Sequence, residues 1–162
     1  MKILILGSSG QLGSDIKKIF NSVNISRKKN EIEYTNKKKI KSLIEKFLPD
    51  LIINCVAYTN VNKAINQKKI CKYLNFYFPR FLSGLCYKKN ITLIHFSTDY
   101  VFDGKSKKKY TETSKPNPLN FYGITKLNGD LSIINSGCRY FIFRISWLYN
   151  PKFKNNFVYK VR

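Results

Sequence analysis

The feature that most constrains the fold is the glycine spacing directly after the first apolar run of the chain. Residues 2–6 (KILIL) are typical of a parallel strand covered on both faces. Gly7, Gly10 and Gly13 follow at GxxGxxG spacing, and apolar residues then recur at helical spacing from Gln11 to Phe20. Strand, glycine turn and helix in this order favour a dinucleotide-binding unit over an ordinary glycine-rich turn, because the turn and the helix N-terminus can accept a pyrophosphate.

The rest of the chain alternates between apolar strand patterns and helical patterns. Further strands are predicted over residues 50–58, 91–97 and 140–149, and a long loop over 103–118. Helices are predicted over 37–47, about 62–87 with a start or kink at Pro79, and 122–134. This alternation predicts an α/β fold with a doubly wound parallel sheet, and we expect one domain spanning residues 1–162.

The charge of the chain is strongly positive, with 30 Lys and Arg against 9 Asp and Glu, a formal net charge of +21. Such a balance attracts polyanions. Lysine dominates, however, and arginine, which does most base reading, is scarce. We therefore expect a solvated lysine surface, with nonspecific adhesion at low salt but no specific nucleic-acid partner.

The cysteines, the single histidine and the lengths of the apolar runs limit where the protein is expected and whether it holds a metal. Cys55, Cys71, Cys86 and Cys138 are widely scattered and are expected as free thiols in the core. The single histidine, His95, has no partner at ligand spacing, so no metal site is predicted. No apolar run is long enough for a membrane span or a secretory signal, so a cytoplasmic protein without membrane contact is expected.

Tyr122 and Lys126 are four residues apart on one predicted helix, so both side chains can face one pocket. A neighbouring ammonium ion favours phenolate, and we expect Lys126 to lower the pKa of Tyr122. Such a phenol could exchange a proton with a substrate oxygen. In a chain rich in both residue types, a chance pair is the alternative.

Hydroxyl groups follow the strand predicted over 91–97. Ser97, Thr98 and Asp99 come at its carboxyl end, where doubly wound sheets bind their ligands. A hydroxyl there can hydrogen-bond a substrate oxygen whose charge changes during hydride transfer. The alternative is that Thr98 only caps the turn that leaves the strand.

Five segments together resemble the extended short-chain dehydrogenase/reductases: GSSGQLG, PDLIINCVAYTNVNKA, HFSTDYVFDG, PLNFYGITKL and FRISWLY. STDYVF and the PLNxYGxTKL pattern resemble the branch that reduces the 4-keto group of a dTDP-linked 6-deoxy sugar, rather than the epimerases and dehydratases. The resemblance implies a Rossmann-type fold, NADPH or NADH as cofactor and a nucleotide-sugar substrate. It also makes Mg²⁺ and a homodimer candidates.

The resemblance assigns a role to each matching residue. Tyr122 would give a proton to the C4 oxygen, Lys126 would lower the pKa of Tyr122 and hold the nicotinamide ribose, and Thr98 would orient the keto oxygen. Tyr122 and Lys126 are also cofactor positions, and Thr98 is also a substrate position. The remaining cofactor and substrate positions are Gly7, Gly10, Gln11, Leu12 and Gly13 for the pyrophosphate turn, Glu33 and Tyr34 for the adenine side, Ala57, Tyr58 and Thr59 for the cofactor cleft, and Asp99 and Trp147 for the substrate.

The chain also departs from the family pattern. The acidic residue that takes the adenosine ribose is absent, and residues 27–29 (RKK) would suit a 2′-phosphate, which favours NADPH. Asn62 and Ile65 replace an acidic pair. The family's C-terminal portion, which supplies much of the nucleotide-sugar site, is expected to be missing. A noncatalytic cofactor-binding remnant or regulatory subunit is therefore an alternative, and a related epimerase or dehydratase is a weaker one.

Overall fold

The computed structural model describes residues 1–26 and 33–149. They form a five-stranded sheet in which every neighbouring pair of strands is parallel, in the order β2-β1-β3-β4-β5. The strands are β1 Ile3–Leu6, β2 Val23–Ile25, β3 Leu51–Asn54, β4 Thr92–Thr98 and β5 Tyr140–Ile145. The predicted doubly wound α/β fold is confirmed. The strand order reverses between β1 and β3, and such sheets bind ligands beyond the carboxyl ends of the strands at this point.

The helices flank this sheet. They are α1 Gln11–Ile19, α2 Lys37–Phe47, α3 Lys68–Lys72, α4 Phe78–Lys89 and α5 Phe121–Ile134. A π-helical turn, Tyr73–Tyr77, joins α3 to α4, and a 3₁₀ turn, Asp99–Val101, follows β4. Among residues 1–26 and 33–149, no helix combines the length and the apolar character needed to cross a bilayer.

The prediction of a helix over 62–87 is wrong in its extent. The observed helical segment begins at Lys68, is widened by the π turn and continues to Lys89. The widening places the buried side chain of Asn75 against the backbone of Tyr58, whose N–H donates to Asn75 Oδ1 at 2.9 Å. Asn75 Nδ2 donates back to the Tyr58 carbonyl at 3.1 Å. The predicted strands over 50–58 and 140–149 end early, at Asn54 and Ile145.

The central strands are buried on both faces, as expected for a covered parallel sheet. Leu4, Ile5 and Leu6 of β1 are completely buried. Leu4 and Leu6 pack in the cluster beneath α2 and α4, whereas Ile5 packs on the side of α1. The two faces of one strand therefore serve two cores, which explains the unbroken apolar run.

The cysteines behave largely as predicted. All four are free thiols; Cys71, Cys86 and Cys138 are buried, and Cys55 is half-buried. Burial raises the pKa of Cys55 and of Cys86 to about 12, which keeps both thiols protonated at neutral pH.

Helix α5 packs backbone to backbone against two turns. A Cβ atom at Gly123 would lie 2.2 Å from the Tyr100 carbonyl oxygen, and one at Gly129 would lie 2.2 Å from the Asn75 carbonyl oxygen. By contrast, a Cβ atom at Gly84 of α4 would have no neighbour within 4 Å. The close approach seats the whole of α5 against the 3₁₀ turn and the π turn.

We expect Gly129→Ala to lower the free energy of unfolding by about 1–3 kcal/mol, because its methyl group must displace the backbone of Asn75. Gly84→Ala is the matched control: the added helix propensity should raise the free energy of unfolding by about 0.5–1 kcal/mol. Urea denaturation of the two variants measures both. A Gly129→Ala protein as stable as the wild type would contradict the close packing of α5.

Candidate active site

The glycine turn joins β1 to α1 in a conformation that only glycine adopts easily. Gly7 has φ of +85°, and its N–H group is shared between the Tyr34 hydroxyl at 2.8 Å and the Ile25 carbonyl at 2.9 Å. A Cβ atom at Gly13 would lie 2.3 Å from the Gly7 carbonyl oxygen, so α1 starts directly against the end of β1.

The N-terminus of α1 has the properties of an anion site. Gly10 is its N-cap residue, no side chain caps the helix, and the first turn contains no acidic residue. The N–H groups of Gln11 and Leu12 have no acceptor within the helix. Together with the helix dipole, these N–H groups suit a pyrophosphate.

The other predicted cofactor residues divide into buried and exposed groups. Tyr34 is buried, donates to the Ile25 carbonyl at 3.1 Å and supports the glycine turn from the core side. Glu33 and Thr59 are exposed, and Ala57 and Tyr58 are half-buried in the segment after β3. The basic residues 27–29 lie outside the described part of the chain.

The predicted catalytic side chains come together at the carboxyl end of β4. Asn120 caps α5 by accepting a hydrogen bond from the Gly123 N–H at 2.8 Å, and the helix then carries Tyr122 and Lys126 into the interior, 8% and 1% exposed. Thr98, the last residue of β4, is buried; its hydroxyl donates to Asp99 Oδ1 at 3.0 Å and interacts with the Tyr122 phenol. The three side chains thus occupy one site.

Burial controls the ionisation of this site, and the expected effect of Lys126 on Tyr122 is wrong for the protein without cofactor. The pKa of Tyr122 is raised to about 12, mainly by burial; the hydrogen bond with Thr98 opposes this, and the charge of Asp99 adds to it. Burial also lowers the pKa of Lys126 to about 8. Lys126 Nζ donates to the Phe96 carbonyl at 2.6 Å, so this lysine is engaged with β4.

A polar cluster under Tyr122 was not predicted from the sequence. Thr125 Oγ1 donates to the Tyr122 carbonyl at 2.8 Å and accepts from Asn75 Nδ2 at 3.2 Å. Cys71 Sγ lies 3.4 Å from the same hydroxyl oxygen. The available signal was a threonine three residues after Tyr122, on the same helix face, and an asparagine inside an apolar helical pattern.

A second unpredicted cluster holds the end of β4. Ser97 Oγ donates to Asp130 Oδ2 at 2.7 Å, and Arg144 Nε of β5 lies 3.6 Å from the same oxygen. Asp130 is fully buried one turn after Lys126, and burial raises the pKa of its carboxyl group. Ser97 thereby belongs to the support of the site, next to Thr98.

The predicted substrate residues are open to solvent. Asp99 is exposed beside the Tyr122 phenol, and Trp147, which follows β5, is 66% exposed. Asn62 and Ile65 are exposed as well. In the part of the chain that the structure describes, no three His, Cys, Asp or Glu side chains come together.

The parallel sheet, the glycine turn before α1 and the Tyr122–Lys126 pair define the class: a Rossmann-type α/β protein with the site arrangement of the short-chain dehydrogenase/reductases. The family model described as the RmlD substrate binding domain matches residues 1–162. The chain belongs to this family.

Individual relatives agree with this assignment. The dTDP-4-dehydrorhamnose reductase of Aggregatibacter actinomycetemcomitans is 34% identical over 163 residues, covering 97% of this chain and 54% of the relative. That of Salmonella typhimurium is 32% identical, with the same coverage. The crystal structure of dTDP-4-dehydrorhamnose reductase from Bacillus anthracis in complex with NADP matches with a TM-score of 0.90 and 31% identity, covering 98% of this chain and 57% of that one. The chain thus spans about half the length of the curated relatives it matches.

We expect the buried lysine to make stability depend on pH. The pKa of Lys126 is about 8 in the folded protein and about 10.5 when unperturbed, so the unfolded chain binds more protons between these values. The free energy of unfolding therefore gains about 1.4 kcal/mol per pH unit from Lys126 across this window. Below it, the cost of burying the ammonium ion is fully present.

Lys126→Met isolates this contribution, because other titrating groups such as the thiols cancel in the difference between the two proteins. Urea denaturation from about pH 7 to about pH 10 should show the wild type gaining on the variant at that slope above about pH 8. Parallel stability curves for the two proteins would mean that Lys126 titrates normally.

Proposed function

We propose that the chain carries the cofactor-binding and proton-donating part of a reductase site for dTDP-4-dehydrorhamnose. It would reduce the C4 keto group of this sugar with NADPH or NADH. The product, dTDP-L-rhamnose, would serve as a precursor of polysaccharide and O-antigen. The supporting observation is the meeting of Thr98, Tyr122 and Lys126 at the carboxyl end of β4, in the same sheet as the glycine turn. The reductases named above support this reaction over that of an epimerase or dehydratase.

The chemistry needs one hydride and one proton. NADPH, when bound, would supply the hydride to C4, and NADP⁺ would be the second product. Tyr122, whose pKa is raised to about 12, stays protonated at neutral pH and can donate its phenol proton to the C4 oxygen. Thr98 would hydrogen-bond the keto oxygen, and Lys126 would hold the nicotinamide ribose. The carbonyl group thereby becomes an alcohol, with charge and atoms in balance.

Cofactor binding would use the glycine turn and the cleft after β3. The free N–H groups at the start of α1 suit the pyrophosphate, with Gly10, Gln11 and Leu12 nearest to it. Ala57, Tyr58 and Thr59 would line the cleft, and Glu33 and Tyr34 would lie on the adenine side. The basic residues 27–29 favour NADPH, because a 2′-phosphate adds negative charge there.

A cofactor-binding module without turnover is the second candidate function. The proton-handling residues are buried and supported by polar partners, whereas Asp99 and Trp147 are exposed. Positioning of the substrate supplies a large share of catalysis, so a site with this asymmetry could bind NADPH and turn over slowly.

The proposal also includes three properties of the whole protein. We propose that residues 1–162 form a single domain, that the protein forms a homodimer and that it is located in the cytoplasm.

Turnover is tested with dTDP-4-dehydrorhamnose and NADPH, following loss of NADPH absorbance. We expect Tyr122→Phe to reduce the rate by about a hundredfold or more, because it removes the proton donor. The variant should still bind NADPH in calorimetry, because the glycine turn and Lys126 are unchanged. Equal rates for the two proteins would reject catalysis by Tyr122, and NADPH binding with no turnover by the wild type would support the module without turnover.

Cofactor preference is tested by calorimetry with NADPH and NADH. We expect the wild type to bind NADPH more tightly, and the triple variant Arg27→Ala, Lys28→Ala, Lys29→Ala to lose roughly tenfold or more in NADPH affinity while binding NADH as before.

The matched control for this experiment removes three positive charges from the exposed loop after the 3₁₀ turn: Lys107→Ala, Lys108→Ala, Lys109→Ala. It should leave the preference unchanged. Equal or better binding of NADH by the wild type would overturn the proposed preference.

A further inference from the structure

His95, the single histidine of the chain, lies completely buried on β4 between two other polar side chains. Its Nδ1 atom is 3.0 Å from Nδ2 of Asn54, its register partner on β3. Its Nε2 atom is 3.3 Å from Nζ of Lys126 on α5. A neutral imidazole carries one N–H hydrogen, and these two contacts determine which ring nitrogen of His95 holds it.

The amide of Asn54 decides the tautomer of His95. The Val56 N–H group donates to Asn54 Oδ1 at 3.1 Å, which leaves the NH₂ group of Asn54 facing His95. Reversing the amide would set two donors, the NH₂ group and the Val56 N–H, against each other. His95 Nδ1 must therefore accept a hydrogen bond, and the single hydrogen of the neutral imidazole is on Nε2, facing Lys126.

The state of Lys126 follows from the same count of donors and acceptors. Its Nζ atom already donates to the Phe96 carbonyl at 2.6 Å. An ammonium group has three donors and no acceptor, so it would meet the Nε2–H of His95 donor to donor. A neutral amine has a lone pair and can accept this hydrogen while still donating to Phe96.

We propose that His95 is a positioning residue of this site: its Nε2–H donates to Lys126 Nζ and stabilises the neutral amine relative to the ammonium ion. The importance of this for turnover rests on the function proposed above. Lys126 gains acceptors for its N–H groups when a dinucleotide ribose lies beside it, so near pH 8, where this lysine is partly deprotonated, cofactor binding should be accompanied by proton uptake at Lys126.

The charged and titratable groups around Lys126 set the size of this effect. Burial lowers the pKa of Lys126, and the carboxylate of Asp130 on α5 and the thiol of Cys71 on α3 act in the opposite direction. Burial raises the pKa of Asp130, whereas Arg144 of β5, which pairs with it, acts in the opposite direction and favours its ionised form. Burial holds the pKa of His95 well below its usual range, and the charge of Lys126 in its ammonium form lowers it further, so the imidazole stays neutral and keeps its role as donor.

The first test is direct and needs no cofactor. Because the chain contains one histidine, protein labelled with ¹⁵N-histidine gives a single ring system in a long-range ¹H–¹⁵N correlation spectrum. We expect the pattern of the tautomer with hydrogen on Nε2, with no imidazolium formed down to about pH 6. Hydrogen on Nδ1, or an imidazolium with an ordinary pKa, would overturn the proposal.

The second test inverts the tautomer with an isosteric change. In Asn54→Asp the carboxylate can accept from both Val56 N–H and His95 Nδ1–H, which turns Nε2 into an acceptor for the Lys126 ammonium ion. We expect the ¹⁵N pattern to invert and the Lys126 titration, followed through the Nε2 shift, to move up by at least about one pH unit. Asn36→Asp, an exposed N-cap change of equal charge, is the control and should do neither.

The outcomes separate the two proposals. Failure of the wild type to bind NADPH in calorimetry would reject the proposed function, while the ¹⁵N pattern would still decide the tautomer. NADPH binding together with an unchanged pattern in a folded Asn54→Asp protein would reject the role of His95 alone. Should Asn54→Asp not fold, the wild-type pattern decides the matter by itself.

Discussion

The site depends on the close contact between helix α5 and two neighbouring turns. A side chain at either of two glycine positions of the helix would prevent this contact. Without Cβ atoms at Gly123 and Gly129, the helix backbone packs on the carbonyl groups of Tyr100 and Asn75. Tyr122 and Lys126 are thereby carried into the interior, where Thr98 ends the neighbouring strand. A helix held further from these turns would bury the phenol and the lysine less deeply, and burial is the largest cause of their shifted pKa values.

Depth determines the chemistry of these side chains. A buried phenol resists ionisation and a buried lysine resists protonation, so burial alone prepares a proton donor beside a weakly basic amine. Burial also obliges the fold to satisfy each polar group from within. His95 contacts Lys126, Asn75 donates to Thr125, and Ser97 donates to Asp130. Among the described residues, Asp130 Oδ1 and Arg144 Nε are buried without a hydrogen-bond partner.

The sequence was informative wherever a pattern is local. Two local patterns were enough for correct predictions. The apolar runs predicted the buried strands β1 and β3, and the spacing of four predicted that Tyr122 and Lys126 share one helix face. The π turn escaped prediction because one extra residue per turn hardly alters an apolar pattern. The polar contacts of His95 escaped prediction, since its contact with Lys126 spans 31 residues and its contact with Asn54 depends on the register of β3 and β4.

The direction of the Tyr122 pKa was predicted wrongly for a related reason. Spacing on a helix shows that two groups share a face, but it does not show how deep that face lies or where an ammonium group directs its hydrogen bonds. Depth is a property of the tertiary packing at Gly123 and Gly129, and the direction of Lys126 is set by the Phe96 carbonyl and His95. The side of the site proposed to handle protons therefore lies among buried groups, while the side proposed for the substrate, at Asp99 and Trp147, is open. Because the two sides are built from different residues, the proposed cofactor binding and the proposed turnover can be tested separately.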